Sequence, residues 1–143
     1  MSRDFLQQFC ARFAQLDASS LGRLEDLYAD NVHFTDPLHE ICGLSELRRY
    51  LAERYANVTA LDFEFLAFDE VREGEGYVRW VMSYRHAQLN RGKPISLEGC
   101  SMMRWNAEGK VVRHRDYFDA GALLYQHVPI VGSLIRGLHQ RIA

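Results

Sequence analysis

Near residue 61 the spacing of apolar side chains changes from helical to alternating, which divides the chain into a helical front and a sheet-forming back. Upstream, Phe5, Leu6, Phe9, Phe13 and Leu16 recur at helical spacing over residues 3–16. A second helix is expected from a cap at Ser19 or Ser20 through Tyr28, burying Leu21, Leu24, Leu27 and Tyr28. A short strand, Val32 to Asp36, precedes a third helix. Gly43 and Ser45 open that helix, and Leu47, Tyr50, Leu51 and Tyr55 form its apolar stripe. Downstream, Phe63, Phe65 and Ala67 alternate with Glu64, Leu66 and Phe68. Gly74 and Gly76 mark a turn, and strands come next at 77–88, 95–105 and 110–118, joined at Asn90 to Lys93 and Asn106 to Gly109. Helices followed by an antiparallel meander give an α+β pattern in which the helices cover one sheet face. No linker or repeat interrupts it, so residues 1–143 read as one domain.

Size and charge narrow the classes of function. A chain of 143 residues can bury a real core. A net charge of −2 gives no reason to expect nucleic acid as a partner. No run approaches the roughly 18 apolar residues that a membrane span needs. The start, Met1-Ser-Arg-Asp-Phe5, carries an acid early and has no apolar core, so no signal peptide is expected. Cys10, Cys42 and Cys100 are an odd number without metal-ligand spacing, which fits free thiols in a reducing cytoplasm. The six histidines are scattered, so no metal and no cofactor is expected. The tail 128–142 places Val131, Leu134, Ile135, Leu138 and Ile142 at helical spacing, with Arg136, His139 and Arg141 opposite. This amphipathic C-terminal helix would pack as a lid, as a dimer contact or as a surface anchor.

Two segments carry the chemistry. In Tyr28-Ala-Asp-Asn-Val-His-Phe-Thr-Asp-Pro-Leu-His39, Asp36 stands directly before Pro37, which forces it out of helical geometry at the end of an element. In Lys110-Val-Val-Arg-His-Arg-Asp-Tyr-Phe-Asp119, alternation puts Val112, His114, Asp116 and Phe118 on one face and Val111, Arg113, Arg115 and Tyr117 on the other. His114 and Asp116 then share a face with Cα atoms about 6.5–7 Å apart. The matching faces of the neighbouring strands hold Val78, Trp80, Met82, Tyr84 and His86, and Leu97, Gly99, Ser101, Met103 and Trp105. Apolar walls with a few convergent polar groups are the usual anatomy of a small-molecule pocket. Trp80, Met82, Tyr84, Ser101, Met103, His114 and Phe118 are therefore expected to line a cavity, with Tyr28 and His39 as further ligand contacts. Each polar candidate has a plainer reading. Asp36 could satisfy a turn, and His114 with Asp116 could be a buried network tying sheet to helices.

The order of elements, with "YADNVHFTDP" and "MRWNAEGKVVRHRDYFD", resembles the SnoaL-like branch of the NTF2-like superfamily. That superfamily includes ketosteroid isomerase, limonene epoxide hydrolase and polyketide cyclases. The resemblance covers roughly residues 3–126 and implies a cone-shaped fold. In it, three N-terminal helices pack on a curved antiparallel sheet, and pairs of subunits commonly form homodimers through the outer sheet face. It implies that Asp36 stands where the isomerase has its proton-transferring base, and that Asp116 resembles the last-strand acid of the cyclases. It also puts Phe13 and Ser101 where the isomerase has its oxyanion-binding tyrosine and aspartic acid, so ketosteroid isomerase activity is not expected. The Arg-x-Asp pair of an epoxide hydrolase is missing at Arg79-Trp-Val and Arg85-His-Ala. The combined expectation is a protein that binds a small, largely apolar molecule and transfers protons without a cofactor. Asp36, Asp116 and His114 would act, in isomerisation, cyclisation or dehydration. A non-catalytic binding or interaction module is the alternative.

Overall fold

In a computed structural model, the chain is described over residues 2–17, 19–56 and 58–121, and at positions 138, 140 and 141. Helix α1 (Ser2–Ala14) buries Leu6, Phe9 and Cys10 along one stripe. The second helix is shorter than its spacing suggested. It is a single 3-10 segment, Leu21–Asp26, and Tyr28 opens a strand instead of closing the helix. Ser20 is its N-cap residue but makes no side-chain cap. Its hydroxyl is held by Asp17, whose carboxylate also takes the Ser19 amide and hydroxyl.

Strand β1 (Tyr28–Thr35) is followed by a three-residue strand β2 (Glu40–Cys42), too short and polar to stand out in the sequence. Gly43, at φ +93, turns the chain into α2 (Leu44–Ala56), a conformation that a side chain would strain. The helix begins at Leu44, so Ser45 lies inside the first turn and does not cap it. Leu44, Leu47 and Leu51 are its buried face. Four long strands then run as a meander: β3 (Val58–Arg72), β4 (Glu75–His86), β5 (Ile95–Trp105) and β6 (Val111–Phe118).

The sheet has six strands in the order β2-β1-β6-β5-β4-β3. It is mixed, not wholly antiparallel: β1 runs parallel to β6, with Phe34 opposite His114 and Tyr28 opposite Val111. Alternation gives a strand's faces but not its partner's direction, so the parallel pair could not be read from sequence. Breaks in register along β3, between Thr59 and Asp62, Phe65 and Ala67, and Glu70 and Arg72, bend the sheet around α1 and α2. The second break also resets parity. Phe68 comes round to the inner face, 6.1 Å from Phe65 between ring centroids, while Leu66 is exposed.

A similar break changes β6. Arg104 pairs with Arg113 but Trp105 pairs with Val111, so Val112 is the extra residue. Val111 is therefore fully buried in the core, and Val112 is not, the reverse of what strict alternation gives. From His114 onward the expected parity holds, with His114 buried and Arg115 and Tyr117 exposed. The outer face carries an Arg79–Glu98 pair at 3.4 Å and Arg115 stacked 4.8 Å over the Tyr117 ring. Among the described residues no helix is long and apolar enough to cross a membrane. The expected tail helix lies, apart from positions 138, 140 and 141, outside the described residues.

Candidate functional site

Curvature of the sheet over α1 and α2 leaves a cavity of about 210 Å³. β4 contributes Trp80, Met82 and Tyr84; β5 contributes Ser101 and Met103; β6 contributes His114 and Asp116. These residues share the parity read from sequence. The helices add Phe9, Cys10, Phe13, Arg54 and Tyr55, and β3 adds Leu61, Phe63 and Phe65, none of which was singled out as a ligand contact. The signal for the helical set was present. Arg54 falls seven residues after Leu47 and three after Leu51, on the buried stripe of α2.

One polar chain crosses this lining, and its proton directions follow from donor chemistry. The Trp80 indole can only donate, and its Nε1 reaches Ser101 Oγ at 2.8 Å. The Ser101 hydroxyl then donates onward to Asp116 Oδ1 at 2.5 Å. His114 Nε2 lies 2.7 Å from the same oxygen, and His114 Nδ1 lies 2.8 Å from the Tyr28 hydroxyl. Nε2–H donates to the carboxylate, and Nδ1 shares one proton with the Tyr28 hydroxyl across their contact. Burial, followed by the Asp116 charge, holds the Tyr28 hydroxyl well above its ordinary value, so Tyr28 keeps its proton. The histidine is fixed by rings as well: Tyr28 stacks on it at 5.9 Å and Phe34 meets it edge-on at 4.9 Å. The parallel pairing of β1 with β6 is what brings these two rings to it.

Burial alone would raise the Asp116 carboxyl. The His114 charge, hydrogen bonds from His114 and Ser101, and the Arg54 charge outweigh burial and hold it below the usual value. Asp116 is thus a carboxylate at neutral pH, and its Oδ2 takes no hydrogen bond among the described residues. The linkage has a definite sign. A carboxyl lowered in the fold adds stability above its unfolded value of about 3.9, and that stability is lost as pH falls through the folded value. Thermal melts should therefore decline below about pH 4, with a shallower decline in Asp116→Asn. Asp17, lowered by the Ser19 hydroxyl and amide, contributes to the wild-type decline separately, so the difference between the two proteins is what counts. Identical acid slopes would contradict the assignment.

The other candidates are placed apart from this chain. Asp36 is buried but does not line the cavity; it faces a separate, more open depression with His39, Tyr50, Arg54 and Phe118. Pro37 makes the expected turn there. Asp36 Oδ1 accepts the Leu38 and His39 amides at 2.8 Å each, with His39 Nδ1 at 3.2 Å, and Tyr50 donates to Oδ2. Burial, despite the opposing Arg54 charge, raises the Tyr50 hydroxyl, so it remains a donor to Asp36. Both carboxylate oxygens of Asp36 are thus engaged by its own turn and α2. Tyr28 stands behind His114 instead of on the lining, and Phe118 and His39 belong to the outer depression. Tyr84 is on the lining, its hydroxyl raised by burial against the Arg54 charge. Cys10 also lines the cavity, but burial and then the Asp116 charge push its thiol up to about 12, which leaves it unreactive at neutral pH.

A family model described as a SnoaL-like domain matches residues 6–114. The chain belongs to the SnoaL-like family. No curated protein matches it by sequence. Among solved structures, a protein named as a SnoaL-like polyketide cyclase from Jannaschia sp. CCS1 superposes with a TM-score of 0.74 at 9% identity, covering 89% of this chain and 93% of that one. A protein of ketosteroid isomerase-like fold from Catenulispora acidiphila, in complex with trimethylamine, superposes at 0.71 with 13% identity, covering 89% and 94%. An NTF2-like protein of unknown function from Exiguobacterium sp. 255-15 gives 0.67 at 18% identity, covering 81% and 98%. At such identities the likeness is one of fold. Within this SnoaL-like fold, Phe13 lines the cavity 6.5 Å from His114 between ring centroids and offers no hydroxyl, while the Ser101 hydroxyl is already committed to Asp116.

Proposed function

We propose that this SnoaL-like protein binds a small, largely apolar molecule in the cavity and catalyses proton transfer without a cofactor. Asp116 would be the base. The observation that carries the reading is an ionised carboxylate in a largely apolar lining, with Oδ1 clamped by His114 and Ser101 and Oδ2 left open. In the step, the substrate C–H bond breaks, its proton passes to Asp116 Oδ2, and its electron pair delocalises into an adjacent carbonyl as an enolate. Return of the proton to another atom completes an isomerisation; attack of the enolate on a second carbonyl gives a cyclisation. A carboxylate held below its usual value is a weak base, so the substrate must supply acidity of its own, as a carbon between two carbonyls does. Asp36 serves the turn in this reading, since its oxygens are taken.

The test is the keto–enol interconversion of acetyltetralone, a two-ring β-dicarbonyl, monitored by its ultraviolet absorbance. Saturable acceleration that survives Asp36→Asn and is lost in Asp116→Asn is expected. No acceleration over buffer would leave the alternative, a non-catalytic binder in which the Tyr28–His114–Asp116–Ser101–Trp80 chain satisfies buried groups and nothing more.

The outer sheet face, which mixes Val81, Cys100 and Tyr117 with the Arg79–Glu98 pair, is proposed to pair with a second copy as a homodimer. A monomer by light scattering at tens of micromolar would exclude that assembly. The three free cysteines suit a reducing cytoplasm, the setting proposed here.

A further inference from the structure

Arg54 stands in the last turn of α2, half-buried, and lines both the inner cavity and the outer depression. Among the described residues its one hydrogen bond is long and weak, 3.9 Å from Nη2 to Met82 Sδ, and it enters none of the ion pairs. Other arginines differ. Arg79 pairs with Glu98, Arg104 with Glu75, and Arg113 donates to Thr35 Oγ1 and the His33 carbonyl. A guanidinium carries five donors, and a thioether satisfies almost none of that capacity.

Its charge is nonetheless directed inward. It lowers the Asp116 carboxyl and opposes the upward push of burial on Tyr50, Tyr55 and Tyr84. Arg54 is also the one permanent cation among the described residues lining the cavity. Asp116 faces the same space without pairing to it, so cation and carboxylate stand apart on the lining. The Asp116 charge is already shared with His114 and Ser101. That leaves Arg54 without an ion-pair partner among the described residues, on the lining of a hollow walled by Phe13, Leu61, Phe63 and Phe65, while Asp36, Glu46 and Glu53 line the outer depression that it also reaches.

We infer that Arg54 anchors an anionic oxygen of the cavity's ligand, so that the molecule taken up is an apolar body bearing a carboxylate. A guanidinium meets a carboxylate with two parallel hydrogen bonds, and the apolar body would extend from there over the phenylalanines. This inference rests on the cavity being a ligand site, but not on Asp116 acting as a base.

Calorimetric titration of the full chain with naphthaleneacetate and with its neutral isostere naphthaleneacetamide tests it. The acid is expected to bind at least about tenfold more tightly than the amide. Arg54→Gln should bring the two within about twofold by lowering acid affinity alone, and Arg54→Lys should retain part of the preference, since it keeps the charge but not the fork. Asp116→Asn should leave the preference intact or increase it by removing a like charge. A wild-type protein that binds acid and amide equally would overturn the role of Arg54 while leaving the cavity as a ligand site. The same holds for a preference that persists in Arg54→Gln. Failure of both probes to bind at millimolar concentration would overturn the cavity reading and this inference together. Far-ultraviolet circular dichroism and melting temperature of each variant separate lost recognition from lost folding.

Discussion

Asp116→Asn is expected to slow catalysed enolisation of acetyltetralone by about 10²–10⁴-fold, the range that a positioned general base contributes. The asparagine keeps the size of the side chain and can still accept from Ser101 or His114 at its amide oxygen, but it cannot take a proton at the position of Oδ2. The loss should appear in kcat with little change in KM, because apolar walls and not Asp116 hold the body of the ligand. A matching loss in Asp36→Asn, with Asp116→Asn unaffected, would move the chemistry to the outer depression. Phe13 makes a second point. With no hydroxyl there to stabilise an enolate, a ketosteroid lacking a doubly activated carbon should not turn over measurably.

Gly99→Ala is expected to destabilise the protein by about 3 kcal/mol, the upper part of the usual range for overpacking. Gly99 lies opposite Trp80 in the β4–β5 ladder, and the indole lies across it. A methyl group added there would come within 2.3 Å of the indole Cη2, with Cζ2 at 2.5 Å and Cζ3 at 2.8 Å, distances that real carbon atoms do not reach. The ring must move. Moving it breaks the Trp80–Ser101 hydrogen bond and so disturbs the donor on Asp116. Chemical denaturation should therefore show a lower midpoint with an unchanged slope, together with weaker catalysis in the surviving folded fraction. Wild-type stability in Gly99→Ala would mean that the indole lies elsewhere.

The sequence carried the face of each strand better than it carried the wiring between strands. Alternation placed Trp80, Met82, Tyr84, Ser101 and Met103 correctly because β4 and β5 pair without a break in register, and His114 because it lies beyond the bulge at Val112. It misplaced Val111 and Phe68 because each lies beside a bulge, where an extra residue reverses the parity of the strand on one side of it. The helical front was read from apolar spacing, which located α1 and α2 but could not separate a 3-10 turn from an α-helix over six residues at Leu21–Asp26. At the site, His114 beside Asp116 came from a spacing of two on one strand. Their connection to Tyr28 did not, because it depends on β1 lying parallel to β6 across a long stretch of sequence. Asp36 drew attention through Pro37, and the same proline is what folds its carboxylate back onto its own turn.

Methionine methyl groups give the most direct test of a ligand inside the cone. Met82 and Met103 line the cavity, whereas Met102, next in the chain to Met103, falls on the opposite parity of β5 and off that lining. With ¹³C-methyl methionine, addition of acetyltetralone should shift the Met82 and Met103 resonances and leave Met102 in place. Shifts confined to Met102, or no shift at all at saturating probe, would contradict binding within the cavity.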